Sequence, residues 1–208
     1  MRETKEYFGR SGAPTVQRGQ VIGLLGGSFD PAHQGHAHIT LHALKRFNLD
    51  QVWWLVSPGN PLKSVGPAPL LRRMQTANDV IDHPNVKITD LESRLRTRYT
   101  AQTMQALMAY YPGANFVWLM GADNLIEFHK WDRWRWIMEN VPIGILARPG
   151  DRLAARHSKA ATQYAFAQIR GQESRLLAKF KPPCWCFINV PMVNMSSTKI
   201  RAQGEWAR

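Results

Sequence analysis

Two histidines three residues apart stand where an apolar run gives way to a helical pattern, and they could bind a phosphate group. His33 and His36 belong to the segment GGSFDPAHQGH, residues 26–36, which follows the strand-like run VIGLLG. Paired glycines at a strand end let backbone N–H groups approach a bound group, and the next helix points its positive N-terminus there. Two imidazoles at this place can donate hydrogen bonds that strengthen as charge develops during phosphoryl transfer. The segment therefore predicts an anion pocket beside His33 and His36.

Other interpretations of the histidine pair stay open at this point. The segment lacks the Gly-Lys-Ser/Thr ending of a Walker loop and the G-x-G-x-x-G spacing of a dinucleotide fingerprint. An isolated H-x-x-H is more often a glycine-rich turn with two surface histidines. A zinc pair is a further alternative, but the glutamate of H-E-x-x-H is missing and the sequence offers no cluster of further ligands. We therefore expect no metal held by the protein itself.

A second phosphate-binding pattern follows the last strand-like run. Ser196, Ser197 and Thr198 precede an apolar helical segment that carries Arg201. Consecutive hydroxyl residues are an N-cap signal, a helix N-terminus attracts an anion, and the Arg201 guanidinium could reach the same oxygens. Taken alone, the pattern more often marks a capped terminal helix with solvated charges. Because both patterns follow strands, the two helix N-termini should meet at one sheet edge and hold a single triphosphate from opposite sides.

The elements that must position these groups alternate along the chain. Strand-like apolar runs cover residues 21–26, 52–57, 86–89, 115–120, 141–147 and 185–190, and helix-like stretches lie around 35–47, 70–82, 100–110, 132–138 and 157–170. This alternation predicts an α/β fold with a doubly wound, mostly parallel sheet and helices on both faces. Residues 1–20 lack an apolar period, so we expect a flexible tail followed by a single domain over residues 21–208.

Composition and charge narrow the class of protein. The 208 residues are 44% hydrophobic and 20% charged, which is typical of one globular domain and argues against a fibre or a disordered chain. The excess of 27 Lys+Arg over 15 Asp+Glu gives a net charge of +12 that attracts anions. The sequence shows no apolar run long enough to span a membrane and no signal-peptide core. Cys184 and Cys186 stand too close along a strand for an unstrained disulfide, so we expect a cytoplasmic protein.

The two phosphate-binding patterns together resemble a known family. Residues 26–36 match the G-G-x-F-x-P-x-H-x-G-H signature of the nucleotidylyltransferase superfamily, and residues 196–201 match its S-S-T-x-I-R segment, with Met195 before it in place of Ile. The resemblance covers about residues 21–201 and implies a Rossmann-like nucleotidylyltransferase fold. It also implies that His33 and His36 bind the ATP phosphates and stabilise the transition state.

The same resemblance implies a set of ATP-binding residues. The set comprises glycines, hydroxyl residues, one aromatic residue and basic residues: Gly26, Gly27, Ser28, Phe29, Lys63, Arg148, Ser196, Ser197, Thr198 and Arg201. Lys63 corresponds to the family's N-P-x-K loop and Arg148 to its R-P-G segment. A solvated loop lysine and an exposed turn arginine are the alternatives for these two residues.

The middle of the chain resembles one branch of that superfamily, the nicotinate-nucleotide adenylyltransferases. Arg98-Tyr99-Thr100 matches the branch's S-Y-T with Arg98 in place of Ser, while residues 121–123 and 128–134 match its G-x-D and tryptophan loop. The resemblance implies a nicotinate mononucleotide site formed by Tyr99, Thr100, Asp123, Trp131 and Asp132. Trp131 can stack on the nicotinate ring, and backbone N–H groups near Thr100 and at Asp132 can bind its carboxylate. Asp123 is expected to accept a hydrogen bond from a ribose hydroxyl.

The resemblance implies an enzyme of NAD biosynthesis. It would transfer the adenylyl group of ATP to nicotinate mononucleotide, giving deamido-NAD (NaAD) and pyrophosphate by in-line attack without a covalent intermediate. Mg²⁺ is expected on the triphosphate, and the expected partners are the two substrates, without nucleic acid or membrane. A sister transferase that uses another acceptor, such as nicotinamide mononucleotide, is one alternative. A nucleic-acid-binding protein is another, although the basic residues are scattered and no recognised binding motif appears.

Overall fold

A parallel β-sheet forms the centre of the protein in a computed structural model that describes residues 13–59, 66–147, 152–191 and 195–207. Seven strands occur in these residues: β1 (Val21–Gly27), β2 (Gln51–Val56), β3 (Val86–Thr89), β4 (Asn115–Gly121), β5 (Ile143–Ala147), β6 (Gln168–Ile169) and β7 (Trp185–Asn189). Their order across the sheet is β3-β2-β1-β4-β5-β7-β6, and every neighbouring pair is parallel. The predicted α/β class with a parallel sheet is therefore confirmed.

Helices connect the strands. In the described residues they are α1 (Gln34–Arg46), α2 (Leu70–Val80), α3 (Leu91–Arg94), α4 (Thr100–Tyr110), α5 (Ala122–Glu127), α6 (Trp134–Asn140), α7 (Arg152–Arg156), α8 (Lys159–Gln163) and α9 (Ser197–Ala202). Short 3-10 segments cover Phe128–Lys130, Ala165–Ala167 and Gly171–Lys179. Parallel strands need such crossovers because each connection must return to the edge where the previous strand began.

The register of the central strands brings their carboxyl ends together. Strand β1 lies between β2 and β4, with Gly27 opposite Val56 and Leu25 opposite Leu119. Helix α5 starts directly after β4, and α1 starts seven residues after β1. The carboxyl edge of an open parallel sheet is where ligands usually bind in this class of fold.

Both faces of the sheet carry buried apolar side chains. Trp53 and Trp54 are consecutive on β2, and both are fully buried. Because successive side chains on a strand point to opposite faces, Trp53 joins the apolar cluster that contains Met104 and Trp54 joins the cluster that contains Phe47. This burial on both sides explains why the predicted strands read as continuous apolar runs rather than alternating ones.

The sequence predicted the larger elements more accurately than the small ones. The six predicted strands each overlap an observed strand, with ends that differ by no more than two residues. The single helix predicted over 157–170 was wrong, because that stretch contains α8, a 3-10 turn and the two-residue edge strand β6.

Cys184 and Cys186 are free and buried. Burial raises the pKa of each thiol to about 11.

The described part of the predicted N-terminal tail contacts the turn between α4 and β4. The Tyr111 hydroxyl donates to the Pro14 carbonyl at 2.9 Å, and the Gly19 N–H donates to the Gly113 carbonyl at 2.7 Å. The division into a tail over residues 1–20 and a domain over residues 21–208 stays a prediction. Among the described helices, none is long and apolar enough to cross a membrane.

Candidate active site

Strand β1 ends in a turn that the surrounding packing holds in place. A Cβ atom added to Gly26 would lie 2.5 Å from Cη2 of Trp118, so a side chain at residue 26 would force that indole to move. Phe29 has a φ of 45°, which places a bulky residue in the left-handed region that usually favours glycine. Its ring stacks on Trp54 with centroids 4.7 Å apart and an interplanar angle of 9°. Phe29 is 2% exposed, so it supports the turn mainly by packing.

The predicted histidine pair stands at the start of α1. His33 is the N-cap residue and His36 the third residue of the helix, and their ring centroids are 3.9 Å apart. Nδ1 of His33 accepts the Gly35 N–H at 3.1 Å, and Nδ1 of His36 accepts the His33 N–H at 3.2 Å. A neutral imidazole has one donor and one acceptor nitrogen, so these bonds assign the proton of each ring to Nε2. Each histidine therefore has an Nε2–H donor suited to a phosphoryl oxygen.

The second predicted motif lies against the first. Ser197 Oγ donates to the Pro31 carbonyl at 2.8 Å, across a separation of 166 residues. A Cβ atom added to Gly35 would lie 2.8 Å from Cε1 of His33 and 3.5 Å from the carbonyl of Met195. A side chain at position 35 would therefore clash with the imidazole of His33. Glycine allows that ring to lie beside the backbone that leads into α9.

Helix α9 is capped as the sequence predicted. The Ser196 hydroxyl accepts the Lys199 N–H at 3.2 Å. Arg201 donates through Nη2 to the Thr198 hydroxyl at 3.2 Å and through Nη1 to the Asp30 carbonyl. These contacts fix the guanidinium of Arg201 beside the turn that leads to the two histidines.

One cleft contains both predicted phosphate-binding motifs. Its volume is about 330 Å³, and the predicted residues that line it are Gly26, Gly27, Ser28, Phe29, His33, His36, Ser196, Ser197, Thr198 and Arg201. We refer to it as the phosphate cleft. The histidine loop and the hydroxyl-arginine segment therefore lie close enough to contact one ligand, which is the spatial arrangement that the sequence predicted.

A second cleft, which we call the aromatic cleft, lies on the other side of the same glycine turn. Its volume is about 420 Å³, and its lining includes Arg98, Tyr99, Thr100, Trp131 and Asp132. The two clefts share Gly26, Gly27, Ser28 and Asn124. A ligand in one cleft can therefore reach a ligand in the other at the end of β1.

Trp131 is the tryptophan of its segment that faces the aromatic cleft. It is half-buried and meets Trp118 and Phe128 edge to face, with ring centroids 6.2 and 5.2 Å away. Trp134 is 7% exposed and belongs to the core, whereas Trp136 packs partly against that core outside the cleft. The edge contacts hold the Trp131 ring in one orientation, which suits a stacking surface.

Three predicted site residues are placed differently or fall outside the description. Asp123 was assigned to the mononucleotide, but it lines the phosphate cleft rather than the aromatic cleft, at the start of α5. Lys63 and Arg148 lie outside the described residues. The ranges that the structure describes contain no group of three or more His, Cys, Asp or Glu side chains able to hold a metal ion.

Comparisons with known proteins agree with this architecture. A model of the cytidylyltransferase-like family matches residues 24–203. A relative from Roseobacter denitrificans called "Probable nicotinate-nucleotide adenylyltransferase" is 62% identical over 197 residues, which are 95% of this chain and 99% of the relative. A relative of the same name from Rhizobium johnstonii is 46% identical and covers 90% of this chain and 95% of its own. The chain belongs to the nicotinate-nucleotide adenylyltransferase family.

A solved structure shares the fold of this family member. It is the Plasmodium falciparum nicotinic acid mononucleotide adenylyltransferase complexed with NaAD, with a TM-score of 0.65 and 18% sequence identity. The likeness covers 88% of this chain and 83% of that one. At this identity the comparison concerns the fold alone.

In this adenylyltransferase family member, Glu92 is a cleft residue that sequence reasoning missed. It lines the aromatic cleft from α3 and is 9% exposed. Burial raises the pKa of its carboxyl from 4.5 to about 7, and a hydrogen bond from Thr103 to Oε1 at 3.5 Å works in the opposite direction. Glu92 stands among other charged residues, and nothing in the sequence around it indicates that its side chain is buried. Asn124 and Lys130 also line this cleft, and sequence reasoning did not assign them to a site either.

Arg73 is a second residue that the sequence did not single out. It is 1% exposed and donates to three carbonyl groups: Nη1 to Ser28 at 2.5 Å and to Ser57 at 2.8 Å, and Nε to Ala68 at 2.7 Å. Burial lowers the pKa of Arg73, and the nearby Asp30 opposes that change. Arg73 therefore ties the end of β1 to the end of β2 under both clefts.

Proposed function

We propose that this protein transfers the adenylyl group of ATP to nicotinate mononucleotide, giving NaAD and pyrophosphate, the reaction that makes the NAD skeleton. The observation that carries this proposal is the pair of clefts joined at one glycine turn. The phosphate cleft suits the triphosphate of ATP, and the aromatic cleft suits a mononucleotide with an aromatic acid. With one substrate in each cleft, the two phosphate groups that must react would meet at the shared wall.

The reaction proceeds by in-line displacement at the α-phosphorus of ATP. A 5′-phosphate oxygen of the mononucleotide forms a bond to that phosphorus, and the bond to the pyrophosphate oxygen breaks, so pyrophosphate leaves with the electron pair. The Nε2–H groups of His33 and His36 donate to phosphoryl oxygens whose charge increases in the transition state. No covalent enzyme intermediate is needed, because positioning and charge stabilisation supply the catalysis.

The remaining residues of the phosphate cleft bind the triphosphate. Ser196, Ser197 and Thr198 supply hydroxyl donors on one side, and Arg201 supplies charge. Gly26, Gly27 and Ser28 approach from the other side with backbone groups, over the ring of Phe29. Lys63 and Arg148 keep their proposed ATP-binding roles on the basis of the family motifs.

The mononucleotide binds in the aromatic cleft. Trp131 stacks on the nicotinate ring, while backbone N–H groups near Thr100 and at Asp132 bind its carboxylate. Tyr99 forms part of the same wall. Asp123 lies on the phosphate side of the junction, so we propose that it binds a ribose hydroxyl close to the reacting phosphates.

Mg²⁺ enters this scheme as part of the ATP substrate. The described residues hold no carboxylate cluster for a metal, so phosphate oxygens and water would supply most of its ligands. The ion would neutralise part of the negative charge on the triphosphate, and the net charge of +12 on the whole chain would attract the rest. Because ATP is the substrate, the proposed function also implies a location in the cytoplasm.

The experiment that tests the function is pyrophosphate release with ATP and either the acid or the amide mononucleotide. We expect kcat/KM for nicotinate mononucleotide to exceed that for nicotinamide mononucleotide by about tenfold or more, because the site presents donors to a carboxylate. Equal or better turnover with the amide would identify a sister transferase. Absence of pyrophosphate release with both acceptors would refute the proposal.

Two N-cap serines offer a matched pair of variants for the phosphate cleft. Ser196 caps α9 inside the cleft and Ser158 caps α8 away from it, with N–H to Oγ distances of 3.2 and 3.3 Å. Ser196→Ala and Ser158→Ala each remove one cap, which costs about 1 kcal/mol of helix stability. We expect Ser196→Ala alone to raise KM for ATP. Equal KM values for ATP in the two variants would show that Ser196 does not contribute to ATP binding.

A further inference from the structure

The chain segment after α9 folds back onto the turn between β1 and α1. Trp206 lies five residues beyond Arg201, is half-buried, and donates through Nε1 to Oδ1 of Asp30 at 2.7 Å. Asp30 is 1% exposed and stands three residues before His33. This hydrogen bond therefore links the residues that follow α9 to the middle of the histidine segment.

Asp30 is also the residue that holds Arg201. The Asp30 carbonyl accepts from Nη1 of Arg201, and the same nitrogen lies 3.9 Å from Oδ2 of its carboxylate. Oδ1 of Asp30 accepts the Ala68 N–H at 3.2 Å in addition to the Trp206 indole. A buried carboxylate needs such donors to keep its orientation. Removing the indole donor would therefore loosen the group that orients Arg201.

One face of the Trp206 ring is covered by Arg72 of α2. The guanidinium carbon of Arg72 lies 3.9 Å from the centroid of the ring, a cation–π contact, and Nη1 of Arg72 donates to the Ala207 carbonyl at 2.6 Å. The indole is thus held between a cation on α2 and a carboxylate beside the phosphate cleft. This arrangement leaves its N–H aimed at Asp30.

Helix α9 needs this support because it is short. It has six residues, and helices of this length are not stable without tertiary contacts. Its first turn is held by the bond from Ser197 to the Pro31 carbonyl, and the segment after its last turn is held by Trp206. We propose that Trp206 is a positioning residue for ATP binding, which acts through Asp30 to hold α9 and Arg201 against the histidine loop. Trp206 does not itself line either cleft.

This inference rests on the proposed function, and Trp206→Phe is the variant that tests it. Phenylalanine keeps a ring for Arg72 but removes the N–H that Asp30 accepts. We expect KM for ATP, and the ATP dissociation constant from calorimetry, to rise about five- to tenfold, which is less than the full effect of losing a hydrogen bond to a charged group because Trp206 acts on ATP only through Asp30. The acceptor KM and kcat should stay within about twofold. Trp206→Ala should raise the ATP constants at least as much.

Trp136→Phe is the matched control, because Trp136 is another half-buried tryptophan, outside both clefts, with an arginine near its ring. It should leave both KM values unchanged. An unchanged ATP dissociation constant in Trp206→Phe would overturn the inference. A lower melting temperature together with parallel changes in both KM values and kcat would also overturn it, because that pattern indicates a general loss of structure. Absence of turnover in the unaltered enzyme would instead refute the proposed function, while the calorimetric ATP constants would still test the role of Trp206.

Discussion

Glu92→Gln is the substitution whose effect on stability the structure predicts most directly. Gln has nearly the same shape as Glu and can still accept the hydrogen bond from Thr103, but it carries no charge. Burial raises the pKa of the Glu92 carboxyl from 4.5 to about 7, so the folded protein prefers the neutral acid. The folded state therefore binds more protons than the unfolded chain between these two values, and the contribution of Glu92 to stability falls as the pH rises through that window.

The size of the effect follows from the difference between the two pKa values. At about 1.4 kcal/mol per pKa unit, ionised Glu92 costs about 3 kcal/mol of folding free energy at pH 8.5. At pH 5.5 the folded protein keeps the proton while the unfolded chain has mostly lost it, and the cost is about 1 kcal/mol. We therefore expect the stability of Glu92→Gln relative to the unaltered protein to increase by about 2 kcal/mol between pH 5.5 and pH 8.5.

Urea unfolding of both proteins at pH 5.5 and pH 8.5 measures this difference, because titrations elsewhere in the chain cancel in the comparison. In thermal melts the same change corresponds to about 4 to 8 °C for a domain of this size. Glu173→Gln, at an exposed acid away from the clefts, is the control and should show no such trend. A Glu92→Gln difference that is the same at both pH values would refute the reasoning, since it would mean that Glu92 titrates alike in the folded and unfolded states.

Three further predictions concern catalysis, specificity and packing. His33→Ala and His36→Ala should each lower kcat about a hundredfold with a smaller change in ATP affinity, measured by steady-state kinetics and calorimetry. Near-normal kcat in either variant would show that the substituted histidine is not catalytic. Trp131→Ala should raise KM for nicotinate mononucleotide about tenfold and KM for ATP less, and equal changes would move the acceptor site elsewhere. Arg73→Met should lower the unfolding free energy by about 2 to 4 kcal/mol in urea titrations, because one buried and two part-buried carbonyls lose their donor, and a loss below about 1 kcal/mol would contradict that role.

The features that the sequence predicted well are those encoded by neighbouring residues. The glycine turn, the N-cap at Ser196 and the start of α1 each depend on side chains within a few positions of one another. The large strands were predictable because they are buried on both faces and read as apolar runs. The meeting of the two phosphate-binding motifs followed from a general rule, since the carboxyl ends of parallel strands share one edge.

The prediction that failed concerns a stretch of short elements. The stretch 157–170 has helical composition, but Ser158 caps a five-residue helix and the chain then turns to add β6 to the sheet edge. That outcome depends on pairing with β7, far along the sequence. Asp123 was assigned to the mononucleotide from its motif; it lines the phosphate cleft at the start of α5, and its ribose-binding role stays a prediction. Local sequence could not distinguish the two sides of the glycine turn.

Residues that support the site from a distance are the hardest to predict, and three charged residues show why. Glu92, Arg73 and Asp30 are each at least nine-tenths buried, although acidic and basic residues are usually exposed. Their burial is possible because hydrogen-bond partners from distant segments surround them. Arg73 donates to the carbonyls of Ser28 and Ser57, which directly follow β1 and β2. Asp30 accepts the indole N–H of a residue 176 positions away. A buried charge that lost these partners would be strongly destabilising. The same contacts that make the charges tolerable also fix the geometry of the clefts, so the stability of this fold and the alignment of its two substrates depend on the same few buried polar groups.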